Sequence, residues 1–204
     1  MELVLVRCGA ADAAPGILAG QAPLPLADRG FAALERLAAS WIGPSPRLLY
    51  CSDLRRARQG AQVLAARFAL DALPDPRLRA LDLGRWNGAN FGAVGAQQPQ
   101  AWRDWNADWV GHAPPGGERW LELAARVRAW LAGLADRDLP AMGEQRVLAL
   151  THESTLRALL SEVLELSPQA AQRLRFEPAC ASALRLEAAR FEVSYLNSPQ
   201  FLPP

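Results

Sequence analysis

The sequence predicts an α/β fold, a three-layer α/β/α sandwich built on a mostly parallel sheet. Apolar strand patterns at Glu2–Arg7, Arg47–Cys51 and Gln145–Leu150 alternate with amphipathic helical patterns of about 10–15 residues. Half of the 204 residues are hydrophobic, and no linker or internal repeat divides them. We therefore predict one domain over residues 1–204, with a lid-like or cap-like insertion region over 82–117.

The first half of the chain predicts three strands and two helices. A loop rich in Ala, Gly and Pro follows the first strand, and a helix begins near Asp28. Ser52 after the second strand is a predicted N-cap, and the helix that it opens extends to about Phe68. Arg77–Leu81 is predicted to be a short strand. The apolar stripe of the first helix is Phe31, Leu34, Leu37, Ala38 and Trp41.

The second half predicts two long helices, one buried strand and a closing pair of strands. In the insertion region, Trp102, Trp105 and Trp109 are spaced i, i+3, i+7, which predicts a helix that packs inward rather than tryptophans that stack on a ligand. The other predicted elements are helices Glu118–Leu134 and Ser154–Leu166, a short helix from Ser167, and strands Ala181–Glu187 and Phe191–Leu196.

The composition excludes several classes of protein. The net charge is +1 and the charges are interspersed, so we expect no nucleic-acid partner. No stretch approaches the roughly 18 apolar residues that a membrane span needs. Three cysteines do not make a disulfide framework in a chain of this length. A cytoplasmic protein is expected, and a homodimer is left open.

Conspicuous side chains follow three of the predicted strands. Arg7 and Cys8 end the first, Cys51 and Ser52 end the second, and His152 ends the third. Arg56 lies one turn into the helix after the second strand. Ligands of open α/β sheets bind beyond the carboxyl ends of the strands, and arginine forks suit oxyanions. The pattern is typical of an anion site, although each of these residues alone fits a solvated or a core position equally well.

Four segments share their order and approximate spacing with one known family. They are Leu5–Gly9, Cys51–Ala57, Leu78–Gly88, and Val147–His152 followed by Leu156–Ala158. Together they resemble the motifs of the histidine phosphatase (phosphoglycerate mutase-like) superfamily. The length and layout resemble its small bacterial phosphatases and α-ribazole phosphatases. The resemblance implies a bacterial protein with the phosphoglycerate mutase-like fold and an ancestral, metal-independent phosphomonoesterase activity.

The resemblance also implies roles for individual residues. Arg7, Arg56 and His152 match the family's phosphate-binding and second catalytic positions. Cys8 stands where the family has its nucleophilic histidine, and Ala80 stands where it has the general-acid glutamate. Candidate substitute acids are Asp82, Glu118 and Glu153, of which Glu118 also fits a structural role at a helix start. No metal or cofactor is expected.

Further departures from the family pattern concentrate at the same site. Glu153 places a carboxylate where family members usually have glycine, and Ala14 replaces an asparagine that helps to hold substrate. The leading hypothesis is a degenerate protein without phosphohistidine catalysis, whose pocket binds a phosphorylated small molecule, a phosphate or sulfate anion, or a partner. One alternative is a phosphomonoesterase that uses water or Cys8, whose pKa Arg7 and Arg56 would lower. Another is a structural or interaction protein with a dead pocket.

The cysteines allow three interpretations at the sequence level. Cys8, Cys51 and His152 would make a Cys2His zinc site if the three strand ends met. Cys8 and Cys51 would form a disulfide if their Cα atoms lay within ~7 Å. The third interpretation, two small half-buried residues that fill space, is favoured. Cys180 is expected in the core. No Cys-x5-Arg loop of the cysteine phosphatases begins at Cys8, because the residue six positions later is Ala14.

Overall fold

A computed structural model describes residues 1–43, 45–135, 146–187 and 190–202 of the chain. Within these ranges the strands β1 to β6 are Glu2–Arg7, Leu48–Cys51, Ala72–Pro74, Arg146–Thr151, Ala181–Glu187 and Arg190–Ser198. The helices α1 to α7 are Asp28–Ala39, Arg55–Phe68, Phe91–Gln97, Pro99–Ala107, Trp120–Ala135, Glu153–Val163 and Pro168–Ala171. Gln145, where the third predicted strand begins, lies outside the described residues. None of the described helices is long and apolar enough to cross a membrane.

The strands form one mixed sheet in the order β3-β2-β4-β1-β5-β6. The pairs β3–β2, β2–β4 and β4–β1 are parallel. β5 runs antiparallel to β1, and β6 runs antiparallel to β5. The mostly parallel sheet predicted from the alternation of strands and helices is therefore confirmed, with an antiparallel pair at one edge.

Helices cover both faces of the sheet. Successive side chains of a strand point to opposite faces, so each buried strand contributes to two cores. Leu5 of β1 belongs to the same cluster as Trp130 of α5. Its neighbour Val6 belongs to the cluster that contains Leu34 of α1 and Leu64 of α2. Because both faces of the sheet are covered by helices, the central strands are apolar at nearly every position. The predicted three-layer sandwich is confirmed.

The strand register brings three separate parts of the sequence to one edge. β1 and β4 are paired in parallel, with Arg7 opposite Thr151. β2 pairs in parallel with the other side of β4. The residues that follow these three strands, Cys8, Ser52 and His152, therefore leave the sheet side by side at its carboxyl edge.

The strand predicted over Arg77–Leu81 is wrong. Pro76–Leu78 forms a 3-10 turn, and the strand of this region, β3, lies before it. The Asp75 carboxylate accepts a hydrogen bond of 2.9 Å from the backbone N–H two residues later, which starts the turn. Pro76 occupies the first position of the turn, where its fixed φ and missing N–H fit better than they would inside a sheet.

The insertion region contains two short helices, α3 and α4, and a cluster of tryptophans. Trp102 and Trp105 of α4 pack edge-on against the buried Trp86, with ring centroids 5.5 and 5.8 Å apart. α4 ends before Trp109, which packs instead against Trp120 of α5 at 5.1 Å. The inward-packing helix is confirmed for two of the three tryptophans, whereas the third belongs to the segment after the helix.

Candidate functional site

The carboxyl edge of the parallel strands holds a cavity of about 390 Å³. Its wall unites residues distant in sequence, because β1, β2 and β4 all end there. The wall residues that the sequence singles out are Arg7, Cys8, Arg56, Ala80, His152 and Glu153. Wall residues for which the sequence suggested no site role include Ser154 and Arg157. We call this space the anion cavity.

Cys8 is fixed tightly in the turn after β1. Its backbone N–H donates a hydrogen bond of 2.7 Å to the carbonyl of Thr151. Gly9 lies so close to Gly30 of α1 that an added Cβ would come within 2.7 Å of the Gly30 carbonyl oxygen. Only glycine fits such a backbone approach. The buried Cys8 Sγ consequently lies 3.3 Å from Nδ1 of His152.

Ser52 contacts the other nitrogen of the same imidazole. Its Oγ lies 2.9 Å from Nε2 of His152 and accepts a hydrogen bond of 3.3 Å from the Leu54 N–H. The predicted N-cap role of Ser52 is wrong, since α2 begins later, with Leu54 at its N-cap. No signal in the sequence distinguished this contact from an N-cap, because the contact depends on the register of β2 beside β4.

These contacts favour one tautomer of His152. Among the described residues, Nε2 of His152 is the acceptor available to the buried Ser52 hydroxyl proton. A buried donor without an acceptor costs about 1–3 kcal/mol. The hydroxyl therefore donates to Nε2, which leaves the ring proton on Nδ1, where it is donated to the Cys8 sulfur.

Burial sets the charge states of the thiol and the imidazole. Burial raises the pKa of Cys8 above its ordinary value and outweighs the opposing effects of Arg56 and Arg7. The two arginines do act to lower the pKa of Cys8, as expected, but burial prevails and the net shift is upward. Burial, reinforced by the positive charges of Arg56, Arg126 and Arg7, holds the pKa of His152 well below 6.5. At neutral pH both groups are uncharged, and the arginines carry the positive charge of the cavity.

The two predicted phosphate-binding arginines are held by backbone carbonyls. Arg56 is buried in α2 and donates to the carbonyls of Ala22 at 3.1 Å and Gly20 at 2.6 Å. These bonds fasten the loop after β1 over the cavity. Arg7 donates through Nη1 to the carbonyl of Phe176. A guanidinium has five N–H donors, so each arginine keeps donors for a bound oxyanion.

Glu153 bridges two arginines at the mouth of the cavity. One carboxylate oxygen lies 3.2 Å from Arg7 Nη1, and the other lies 2.6 Å from Arg157 Nη2. Arg157 is half-buried and also donates to the Leu174 carbonyl at 2.8 Å. Sequence reasoning missed Arg157 as a wall residue. Its position four residues after Glu153, on the same face of α6, was the available signal.

Comparison with known families agrees with this geometry. The profile of the histidine phosphatase superfamily, branch 1, matches residues 3–199. The chain belongs to this family. The superfamily resemblance inferred from the four motifs is thereby confirmed over almost the whole chain.

Individual proteins are similar to this chain in sequence or in fold. An adenosylcobalamin/alpha-ribazole phosphatase from Escherichia coli K12 is 26% identical over 199 residues, covering 97% of this chain and 96% of the relative. The crystal structure of the alpha-ribazole phosphatase from Shigella flexneri has the same fold, with a TM-score of 0.91, 24% identity and 100% coverage of both chains. A mycobacterial glucosyl-3-phosphoglycerate phosphatase, solved in complex with VO3, gives a TM-score of 0.85 and 29% identity and covers 97% of this chain and 98% of its own.

At the position where the histidine phosphatase resemblance expects the acid, Ala80 presents only a methyl group to the anion cavity. Its carbonyl accepts hydrogen bonds from Gln21 Nε2 and Arg126 Nη2, each 3.0 Å long. The backbone here is therefore held rigidly, although the side chain carries no proton to donate. The cavity wall therefore has no acidic side chain at this position.

Two of the three candidate substitute acids do not line the cavity. The Asp82 carboxylate accepts hydrogen bonds from the Gly84 N–H at 2.8 Å and from Asn87 Nδ2 at 2.6 Å. The Glu118 carboxylate pairs with Arg126 at 2.6 Å and accepts the Asp82 N–H at 2.9 Å. Both carboxylates organise the loop before α5, as the structural role considered for Glu118 predicted. Glu153 is the candidate that reaches the cavity.

The zinc and disulfide interpretations find no support in the described part of the chain. Cys8, Cys51 and Cys180 are free thiols. No group of three His, Cys, Asp or Glu side chains is assembled there in a way that could hold a metal ion. Cys51 packs in the apolar cluster shared with α1 and α2, and burial raises its pKa to about 11. Ser52, rather than Cys51, contacts His152.

Proposed function

We propose that this histidine phosphatase superfamily protein has lost phosphohistidine catalysis and uses the anion cavity to bind a phosphorylated small molecule or phosphorylated partner in the bacterial cytoplasm. One observation carries the proposal. Arg7, Arg56 and His152 surround a cavity whose nucleophile position holds the thiol of Cys8 and whose acid position holds the methyl of Ala80. The groups that would hold the oxygens of a phosphate are present, whereas the groups that would transfer it are replaced.

The remaining histidine does not substitute for the missing nucleophile. Both ring nitrogens of His152 are engaged, one with Ser52 and the other with Cys8. Its ring proton on Nδ1 is donated to the Cys8 sulfur, so neither nitrogen is free to attack phosphorus. We further propose that residues 1–204 act as a single domain in which the insertion region over 82–117 caps the cavity.

Orthovanadate and orthophosphate are the probes for this proposal, and one relative was solved with VO3. Arg56→Met is expected to weaken binding of either anion by about 10- to 150-fold, because it removes hydrogen bonds from a charged donor worth about 1.5–3 kcal/mol. Titration calorimetry at fixed ionic strength measures the change. Arg55→Met is the matched control, since Arg55 is exposed on the same helix and does not line the cavity.

Thermal unfolding of each variant separates binding from folding, because Arg56 also holds the loop at Gly20 and Ala22. Arg7→Met provides a second route to the same test, since Arg7 contributes to the cavity from β1. The proposal is contradicted if the wild-type protein binds neither anion, or if both arginine variants bind the anions as tightly as the wild type does. In either case the anion cavity is not an anion-binding site. The protein would then be a structural or interaction module on the same scaffold.

A second candidate function, a thiol-dependent phosphomonoesterase, is favoured by the 3.3 Å separation of Cys8 Sγ and His152 Nδ1. The sulfur would bond to phosphorus, the bond to the leaving oxygen would break, and the thiol proton would pass to Nδ1. Water would then attack phosphorus and break the S–P bond, which releases phosphate and returns the sulfur to a thiol. The first step requires the opposite tautomer, in which Nε2–H donates to Ser52. It also requires a leaving group that departs without an acid, because Ala80 supplies none.

Phosphate release from a panel of phosphomonoesters distinguishes the two functions. Under the binding proposal, the wild type and Cys8→Ala both release phosphate no faster than buffer. Under the phosphomonoesterase candidate, the wild type turns over the esters, and Cys8→Ala abolishes the turnover. A matched Cys180→Ala variant removes a thiol outside the cavity wall and controls for general effects of cysteine loss.

A further inference from the structure

A second cavity lies directly beside the anion cavity. It has a volume of about 310 Å³, within the size range of small-molecule sites. Its wall includes Trp105, Trp109 and Trp120, and we call it the tryptophan chamber. The two spaces share four wall residues, which are Leu81, Leu83, Ser154 and Arg157. A ligand with its phosphate in the first space therefore has the second as the adjoining compartment.

The walls of the tryptophan chamber suit a flat apolar group. Trp120 of α5 is buried, and Trp109 meets it edge-to-face with centroids 5.1 Å apart. Leu81 and Leu83 add aliphatic surface from the segment before α3. Aromatic rings prefer edge-to-face or offset contact with other rings, which adds about 0.5–1.5 kcal/mol beyond the burial of their area.

One buried polar atom in this wall has no partner among the described residues. The indole Nε1 of Trp105 is buried and makes no hydrogen bond there. An unsatisfied buried donor is uncommon and costs about 1–3 kcal/mol. The atom is shielded from solvent, so a ligand acceptor would recover this loss where a movement of the Trp105 side chain exposes the N–H to the tryptophan chamber. The chamber therefore favours an aromatic group that carries an acceptor.

Arg157 connects the two compartments. It lines both, and its guanidinium is bound to Glu153 on the side of the anion cavity. Arginine combines a fixed positive charge with a planar face that stacks on aromatic rings. The shared wall thus offers charge to a phosphate and a flat surface to a ring attached to it.

We propose that the ligand of this site is an aryl phosphate monoester, with its phosphate in the anion cavity and an acceptor-bearing ring in the tryptophan chamber. The proposal rests on the proposed function, since it requires the anion cavity to bind phosphate. It adds the chemical class of the organic group. Trp105 and Trp109 of the insertion region, which the sequence predicted to pack inward rather than to stack on a ligand, would then help to determine which ligand binds.

Calorimetry with four probes tests this assignment: orthophosphate, ethyl phosphate, phenyl phosphate and 4-nitrophenyl phosphate. We expect 4-nitrophenyl phosphate to bind about tenfold more tightly than ethyl phosphate, as ring contact and one recovered hydrogen bond imply. In Trp109→Leu we expect the two esters to bind with about equal affinity, because only the phosphate group that they share would still be recognised. Trp41→Leu is the matched control, because Trp41 packs against Phe68 and Phe201, away from both cavities.

A second variant tests the polar contact without creating space. Trp105→Phe removes the indole N–H and is expected to lower the affinity for 4-nitrophenyl phosphate several-fold, while phenyl phosphate changes less. This comparison still tests whether the ring lies in the tryptophan chamber if Trp109→Leu fails to fold. Hydrolysis during titration is checked by the phosphate released, so that binding and turnover are not confused.

The outcomes separate the two proposals. Equal affinities for ethyl and aryl phosphates, with orthophosphate bound through Arg56, would overturn the aryl assignment and leave the proposed function standing. An aryl preference that survives both Trp109→Leu and Trp105→Phe would place the ring elsewhere and also overturn it. Failure of every probe, orthophosphate included, would overturn the proposed function together with the assignment that rests on it.

Discussion

Glu153→Gln is expected to tighten the binding of sulfate and phosphate by about 5- to 100-fold at pH 7. The carboxylate shares Arg7 with any anion that enters, and its own charge repels that anion across the mouth of the cavity. At about 5 Å, with an effective dielectric constant between that of a protein surface and that of water, the repulsion of a unit charge is about 1–3 kcal/mol. Glutamine removes the charge and keeps the shape.

The matched control is Glu162→Gln on the same helix. Glu162 pairs with Arg128 on the protein surface and lies outside the anion cavity, so its neutralisation should leave anion affinity nearly unchanged. Sulfate is the decisive ligand, because it is a dianion throughout the neutral pH range, whereas the charge of phosphate changes there. Calorimetry in low and high salt should show the gain shrinking as salt screens the repulsion.

An unchanged sulfate affinity in Glu153→Gln would mean that the carboxylate acts mainly as the counterion of Arg157. The 2.6 Å contact to Arg157 is shorter than the 3.2 Å contact to Arg7, so the two roles compete in the structure itself. A fall in affinity would mean that the Glu153 bridge holds the two arginines in the geometry that the anion needs. Either result would remove the physical basis for Glu153 as a repulsive group.

The position of the candidate site could be predicted from the sequence because it depends on chain topology. Arg7 and His152 each lie at or just after the end of a strand whose apolar pattern is unmistakable, and parallel strands end at one edge. Arg56 lies in the first turn of the helix that follows β2. No knowledge of side-chain packing was needed to bring these three residues to one cavity.

What the sequence could not supply depends on side-chain contacts and on burial. Ser52 has the residue type of an N-cap, and only the register of β2 against β4 shows that it contacts His152 instead. The pKa of Cys8 is a balance between two arginines and burial, and the sequence does not show how deeply the thiol is buried. Trp109 fits a helical stripe in sequence, yet the helix ends before it.

Restoring the two missing groups together is expected to restore turnover. In Cys8→His with Ala80→Glu, an imidazole would stand beside Arg7 and Arg56, and a carboxylic acid would occupy a wall whose backbone is already fixed. A positioned general acid alone contributes about 10²–10⁴-fold. Release of phosphate from alkyl phosphomonoesters should therefore rise at least that far above the wild type, and further than in either single variant.

Cys8→His with Ala80→Gln is the matched control, since glutamine fills the same volume and carries no acidic proton. The rate of the acid-bearing variant should fall as pH rises through the pKa of the new carboxyl group, which burial in this wall would raise. An acid-labile phosphoryl adduct on the new imidazole, seen as a mass shift after rapid quenching, would show that the nucleophile works. If the double variant binds vanadate and still releases no phosphate, the two replaced side chains do not account for the loss. Glu153, and its charge beside Arg7, would then be the next group to remove in the same background.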